Sequence, residues 1–287
     1  MKKLYIFGVG LIGGSIALKT RDLNIYDEII GIGRTGGHSL DGLVKSGVLN
    51  SSATKINEEL NEASLIIIAT PVAQTKIILE EIQPFISPSA IVTDVGSTKA
   101  DIMNEAKLIL SDKFSQFIGS HPIAGSEKHG PSAAQKDLFQ DKNIVLTPSD
   151  ENSIEKISEL TKFWESMGGK VTKMNADNHD QIFSTVSHLP HLLAFGLVSL
   201  INNKENKDIL LNFAASGFRD FSRIAASSPE VWKDITMQNQ ESIIKDLKLF
   251  QKEIVKLTNF VETQDAEKLE DYLKLASSTR KNWTEEN

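Results

Sequence analysis

The chain has 287 residues, 40% hydrophobic and 24% charged, with a formal net charge of -7. That length suits one large domain or two ordinary ones, and the acidic balance excludes a protein built around nucleic acid, which carries a basic surplus. Cysteine is absent, so disulfide frameworks and thiol nucleophiles are excluded.

The N-terminal MKKLYIFGVGLIGGSIAL has the two lysines and apolar run of a signal peptide. Glycines interrupt the run, and it reads better as a strand entering a glycine-rich turn. No stretch reaches the roughly 18 apolar residues of a membrane span, so a soluble, cytoplasmic protein is expected.

Over residues 1–174, short apolar runs alternate with helical stretches. The runs are KLYIFGV, EIIGIG, SLIIIAT, AIVTDV, QFIGS, NIVLTP and KVTKM. They are near-continuous rather than alternating, as strands buried on both faces of a largely parallel sheet must be. Strand alternating with helix predicts a doubly wound α/β domain. From 175 to 287 the strand-like runs vanish. DNHDQIFSTVSHLPHLLAFGLVSLINN reads as one long helix bent at Pro190. More helices follow. One, read from SPEVWKD to NFVETQ, keeps Ile243, Ile244, Leu247, Phe250, Ile254, Leu257 and Val261 on one face. The expected division is therefore a dinucleotide-binding domain over 1–174 and an all-helical domain over 175–287.

The first run ends in Gly8, Gly10 and Gly13, spaced G-x-G-x-x-G between strand and helix. One glycine permits the tight turn, one lets backbone approach a pyrophosphate, and one lets helix pack close to strand. The helix N-terminus then offers free N–H groups to phosphate. Leu11 and Ile12 inside the turn, and Thr70 and Pro71 after SLIIIAT, are assigned to the same cofactor site. An acid about 20 positions on would bond the ribose of NAD. Gly33 stands there instead, followed by Arg34 and Thr35. An arginine can face a 2′-phosphate, so NADP is favoured over NAD.

In FIGSHPIAGSEKHGP, His121 is expected just past the end of the QFIGS strand, where ligands sit in this kind of fold. Imidazole is also the side chain best matched to proton transfer near neutral pH. Ser97, in TDVGSTKAD, can bond His121 or a substrate hydroxyl. Thr98 and Asp101 beside it look like a helix capping box. Ser187 and His191 are four apart and share a helix face; the pair His188 and His191 lacks a third ligand nearby, so no metal is expected. Arg219 and Arg223 are also four apart and form a candidate carboxylate clamp, unless Arg223 simply pairs with Asp220.

GVGLIGGS, TDVGSTK, GSHPIAGSEKHGP, VSHLPH and GFRDFSRIAASSPEVW occur in an order and at spacings that resemble the TyrA family, the prephenate and arogenate dehydrogenases of tyrosine biosynthesis. The resemblance runs over nearly the whole chain. It implies a Rossmann domain followed by a helical domain through which the chains dimerise, and oxidation of a cyclohexadienol by NAD or NADP with release of CO2. It also implies that His121 takes the ring hydroxyl proton, that Ser97 orients it, and that Arg223 holds a carboxylate. Glu127, Ser187, His191 and Trp232 would line the substrate pocket, with Arg219 at its dimer-facing edge. Prephenate is favoured as substrate. Arogenate carries an ammonium, for which Glu230 is the candidate partner, although an acid after Ser-Pro is also an ordinary first-turn helix residue. The chain leaves no room for an appended regulatory domain, so tyrosine feedback would act at or near the active site. The competing readings are a β-hydroxyacid dehydrogenase or imine reductase of the same layout, and a non-catalytic NADP-binding sensor.

Overall fold

The computed structural model describes residues 1–33, 40–125 and 130–286. Its compact units are Met1–Gln240 and Glu241–Asn287. In the first unit the order is β1 (Lys3–Phe7), α1 (Leu11–Leu23), β2 (Glu28–Ile32), α2 (Asp41–Lys45), β3 (Ser51–Ala53), β4 (Ala63–Ile68), α3 (Thr75–Ile82), β5 (Ile91–Asp94), α4 (Ala100–Leu110), β6 (Gly119–Pro122), β7 (Asn143–Thr147), α5 (Ile154–Ser166) and β8 (Lys170–Lys173). Helices α6 (Ala176–Phe183), α7 (Leu189–Asn202), α8 (Lys207–Asn212), α9 (Ser216–Ser222) and α10 (Pro229–Gln238) follow.

The main sheet is parallel, in the order β3-β2-β1-β4-β5. Both faces of its central strands are buried. Leu4, Ile6, Leu65 and Ile67 join one apolar core, while Tyr5, Phe7, Ile66 and Ile68 join the other. Two cores, one on each side, are why these strands read as unbroken apolar runs. Strand order reverses between β1 and β4, which opens a crevice at their carboxyl ends.

The second sheet, β6-β7-β8, is mixed: β6 runs antiparallel to β7, and β7 parallel to β8. It joins the first where Phe117 bridges Val92 and Ile118 N donates to Val92 O at 2.9 Å. One strand was missed in the sequence and one expectation is corrected here. Strand β3 was invisible in the sequence, because Ser-Ser-Ala has no apolar run and pairs only at an edge. His121 does not follow a strand but lies within β6, opposite Val145. Gly119 and Ser120, not Gln116 and Phe117, open that strand.

The long helical stretch is continuous over Ala176–Asn202. Its irregularity is a wide π turn over Ser184–His188, ahead of Pro190 rather than at it. Proline lacks an N–H and its ring crowds the carbonyl four residues back, here Val186 inside that turn. By length and composition this stretch could cross a bilayer, contrary to the sequence reading. Yet it buries His179, Asp180, Ser184 and His188, the polar residues of the site described below. The capping box also fails. Helix α4 begins at Ala100 without a side-chain cap of its own, and Thr98 Oγ1 donates instead to Gln238 Oε1 at 2.6 Å. The helix read from SPEVWKD onwards breaks at Asn239.

The second unit consists of α11 (Gln240–Glu262) and α12 (Ala266–Glu286). Tyr272 Oη donates to Glu253 Oε2 at 3.1 Å, and Phe260 meets Tyr272 edge-on at 6.2 Å.

Close packing of α1 on β1 depends on Gly13. A Cβ there would overlap the Gly8 carbonyl oxygen and press on Ile6 and Ala69. Backbone cannot yield as a side chain can. Gly13→Ala is therefore expected to lower stability by about 1–3 kcal/mol, the range for overpacking, and to weaken cofactor binding. An unchanged thermal midpoint and affinity would overturn this account of the turn.

Candidate active site

The crevice holds two adjoining cavities. One, of about 760 Å³, is lined by Gly8, Gly10, Gly33, Thr70 and Pro71 together with Glu81 and Glu230. The other, of about 620 Å³, is lined by Gly10, Leu11, Ile12, Thr70, Pro71, Ser97, Gly125, His191, Arg223 and Trp232. Gly10 and Thr70 border both.

The first cavity fits a dinucleotide. Gly8 has φ +85°, and a Cβ on it would strike Ala69 O at 2.7 Å. A Cβ on Gly10, by contrast, would meet nothing within 4 Å. The chain therefore leaves open space at the N-terminus of α1, where backbone N–H groups can reach phosphate. Thr70 Oγ1 is buried between the cavities without a hydrogen-bond partner, a polar atom suited to a bound ligand. Arg34, Thr35 and Glu127 lie outside the described residues.

In the second cavity His191 stacks on Trp232, with ring centroids 3.7 Å apart and planes inclined by 20°. His191 Nδ1 donates to the Ser187 carbonyl at 2.9 Å, which leaves Nε2 as the free nitrogen. Ser187 thus contributes its backbone and is absent from the cavity lining. Arg223 follows the end of α9 and lines the cavity, with no ion pair to Asp220. Arg219 is exposed and lines neither cavity. Glu230 sits in the first turn of α10 and lines the dinucleotide cavity, not the second one.

His121 is 8% exposed. Its ring packs against Phe183 at 4.8 Å and His179 at 5.0 Å. Its Nδ1 is 2.8 Å from His179 Nε2, so its hydrogen-bond partner is His179 rather than Ser97. His179 Nδ1 is in turn 2.7 Å from Asp180 Oδ1. The Asp180 carboxylate also accepts the backbone N–H groups of Lys99 at 2.8 Å and Ala100 at 2.9 Å. Asn239 Nδ2 donates to the Asp180 carbonyl at 2.7 Å and to His188 Nδ1 at 3.2 Å.

Beneath this chain lies an ion pair with neither partner exposed, Lys99 Nζ to Asp94. Asp94 also accepts Gly96 N at 2.7 Å and Ser120 N at 3.3 Å. Sequence reasoning missed His179, Asp180, Asp94 and Lys99. A signal existed for the last two: an aspartate closing a strand-like run must be paired if buried, and a lysine follows five residues later.

Burial holds the His121 imidazole well below the ordinary histidine range, helped by the positive potential of His179, Lys99 and His188. Burial also lowers His179, against the opposing pull of Asp180. It lowers His188 to about 4 and lowers His191 as well. All four imidazoles are neutral at pH 7, and a neutral ring can accept a proton.

His121 itself lines neither cavity. A parallel sheet with a glycine-turn dinucleotide cleft, joined to a cavity lined by the His191 imidazole and the Arg223 guanidinium, defines a nicotinamide-dependent dehydrogenase. Two family descriptions match: "Prephenate dehydrogenase, nucleotide-binding domain" over residues 16–173, and "Prephenate dehydrogenase, dimerization domain" over residues 175–275. The chain belongs to the prephenate dehydrogenase family. It is 37% identical to prephenate dehydrogenase of Bacillus subtilis over 279 residues, 96% of this chain and 75% of that protein. It is 30% identical to cyclohexadienyl dehydrogenase of Zymomonas mobilis, over 97% of this chain and 95% of that one. The structure of Aquifex aeolicus prephenate dehydrogenase with hydroxyphenyl propionate and NAD+ superposes with a TM-score of 0.91 at 32% identity, covering 98% of both chains. Synechocystis arogenate dehydrogenase gives 0.83 at 30% identity, over 98% of this chain and 99% of that one.

The histidine cluster has a consequence for stability. The folded pKa values lie below the unfolded value near 6.5, so below that pH the unfolded chain binds protons that the folded chain refuses. Stability is complete above about pH 6.5 and falls as the pH drops through 5, each such group contributing up to about 1.4 kcal/mol per pH unit. Denaturant unfolding at stepped pH should show this slope, and His188→Gln should reduce it by about one proton. A profile flat from pH 6.5 to 5 is incompatible with neutral buried imidazoles.

Proposed function

We infer that this chain oxidises prephenate at the expense of a nicotinamide dinucleotide, releasing CO2 and forming 4-hydroxyphenylpyruvate. The observation that carries this reading is the continuous likeness to prephenate dehydrogenases along 96% of the chain. A nicotinamide dinucleotide, when bound, would supply the hydride acceptor for ring C4. The chain's part is to hold the ring at the mouth of that cleft and to accept the hydroxyl proton. His121, neutral and buried, is the proposed base. Its proton comes from the C4 hydroxyl as the C–O bond gains carbonyl character. Loss of the ring carboxylate then returns electrons to the ring and makes it aromatic. Little driving force need come from the protein, so positioning dominates.

Arg223 and His191 are the proposed partners of a substrate carboxylate, with Trp232 fixing the plane of His191. Ser97, which lines the same cavity, is proposed to bond the hydroxyl. We assign Glu127, Ser187 and Arg219 supporting places around the substrate, and the division at residues 174 and 175 as the boundary between nucleotide-binding and helical parts. Glu230 lines the nucleotide cavity, which supports prephenate over arogenate. For the cofactor, Gly33 at the end of β2 offers no carboxylate to a ribose and Arg34 follows it, which supports NADP.

We further propose a cytoplasmic homodimer formed through the helices. The support is apolar surface left open within one chain: Phe213 is 85% exposed, Ile209 58% and Leu200 56%. Large apolar side chains left open to water are candidates for burial against a second chain.

The direct test pairs prephenate and arogenate with NAD and NADP and follows reduced cofactor. Prephenate with NADP is expected to be the fastest pair, and His121→Asn to cost about 10²–10⁴-fold in kcat while cofactor affinity holds. Four inactive mixtures from folded protein would sink the dehydrogenase reading, and an unimpaired His121→Asn would sink the base. Separately, Phe213→Asp is expected to shift the sedimenting species from dimer to monomer; unchanged sedimentation would place the contact elsewhere.

A further inference from the structure

The hydrogen bonds around His121 fix more than its position. Asp180 Oδ1 lies 2.7 Å from His179 Nδ1. A carboxylate only accepts, so that nitrogen must carry a proton. A neutral imidazole has one N–H, so His179 Nε2 carries the lone pair. His121 Nδ1, 2.8 Å away from it, must then be the donor. The proton of neutral His121 is therefore on Nδ1, and Nε2 is left with the lone pair that a base requires. No described residue forms a hydrogen bond to that nitrogen. Each step follows from the one before, and each begins with Asp180.

We propose that His179 and Asp180 are positioning residues that hold His121 in the single tautomer able to accept a proton at Nε2. The inference rests on the reading of His121 as the base. The surroundings make the constraint strict. His179 is fully buried and Asp180 nearly so. Phe183 lies 4.8 Å from the His121 ring and 4.4 Å from the His179 ring, its plane tilted 33° from the latter, and so closes one side of the pair to water. Asp180 cannot swing away, because its two oxygens also receive the first backbone N–H groups of α4. The arrangement does the same work as the carboxylate behind a protease histidine, with a second imidazole inserted. When His121 takes the substrate proton at Nε2, its Nδ1–H stays on His179, and Asp180 faces the new positive charge through that ring. Lys99, although paired with Asp94, opposes a charge on His121, so Asp180 acts on that ring chiefly through the tautomer it fixes.

Asp180→Asn tests this, because an amide can donate where the carboxylate only accepted. Its NH2 must face one of the donors that the carboxylate accepts; against His179 it turns that ring to the opposite tautomer and forces His121 to lose either its hydrogen bond or its Nε2 lone pair. In the full-length ¹⁵N-histidine-labelled enzyme, two-bond nitrogen–proton spectra should show His121 protonated at Nδ1, with peaks assigned by their loss in His121→Asn. Asp180→Asn should shift that pattern and lower kcat at least a hundredfold, with KM and cofactor affinity within about threefold. Because Asp180 also holds α4, folding is checked by cofactor binding. If that variant fails to fold, His179→Gln, whose amide oxygen can accept the Nδ1–H, should retain at least tenfold more turnover than His179→Leu. A wild-type spectrum with the proton on Nε2 would falsify the proposal. So would a folded Asp180→Asn of native kcat, or equal loss in His179→Gln and His179→Leu. Native turnover in His121→Asn instead removes the base reading and leaves the tautomer assignment standing.

Discussion

The carboxylate of Asp180 is the point on which the site depends. A helix begins with N–H groups that have no partner within it, and α4 has no capping side chain of its own. Asp180, 80 residues further along the chain, supplies the acceptor. That bond ties the start of α4, at the carboxyl edge of the parallel sheet, to α6 in the helical part. The same carboxylate faces His179, and the Asp180 carbonyl holds Asn239. One residue thus fixes a helix end, an imidazole and the break between α10 and α11. Buried as it is, it has no alternative partner in water, so the cost of losing any of these bonds is high.

The second constraint is electrostatic. Lys99 is completely buried, and burial lowers its pKa against the pull of Asp94. A paired ammonium beneath the site contributes little field of its own at a distance, yet it disfavours a second positive charge nearby. His121 feels that along with desolvation. The result is an imidazole held neutral, as the proposed base must be, and joined to Asp180 through His179. Stability and function pull in opposite directions here. A buried ion pair and three buried neutral histidines are poor stabilisers compared with apolar packing of the same volume, and their presence is a cost carried by the two apolar cores on either side of the sheet.

Much of the fold was legible because it is repetitive. Unbroken runs such as SLIIIAT could only be strands covered on both faces, and Gly8 and Gly13 could only be a turn where backbone meets backbone. The substrate side was legible in part: His191, Trp232, Arg223 and Ser97 do line one cavity. What escaped was whatever depends on contacts distant in the chain. Thr98 looked like a cap because capping is local, whereas the real cap comes from Asp180. Pro190 looked like the bend, whereas the widened turn lies just ahead of it, where the proline ring acts. His121 looked like a loop residue because HPIAG reads as a loop; pairing of β6 with β7 turned it into strand. Ser97 looked like its partner, whereas His179 takes that place, and no pattern within DNHDQIF announces it.

Placing the proposed base inside a strand has a physical consequence that a loop would not. Loop histidines sample rotamers and exchange hydrogen-bond partners with water on fast timescales. His121 is held by the register of β6 against Val145, by an aromatic neighbour and by His179. Oxidative decarboxylation of prephenate gains its driving force from forming an aromatic ring, so the task proposed for His121 is geometric: one lone pair held near one hydroxyl. Preorganisation of that kind is most secure on strands and helix ends, which do not reorganise as charge moves.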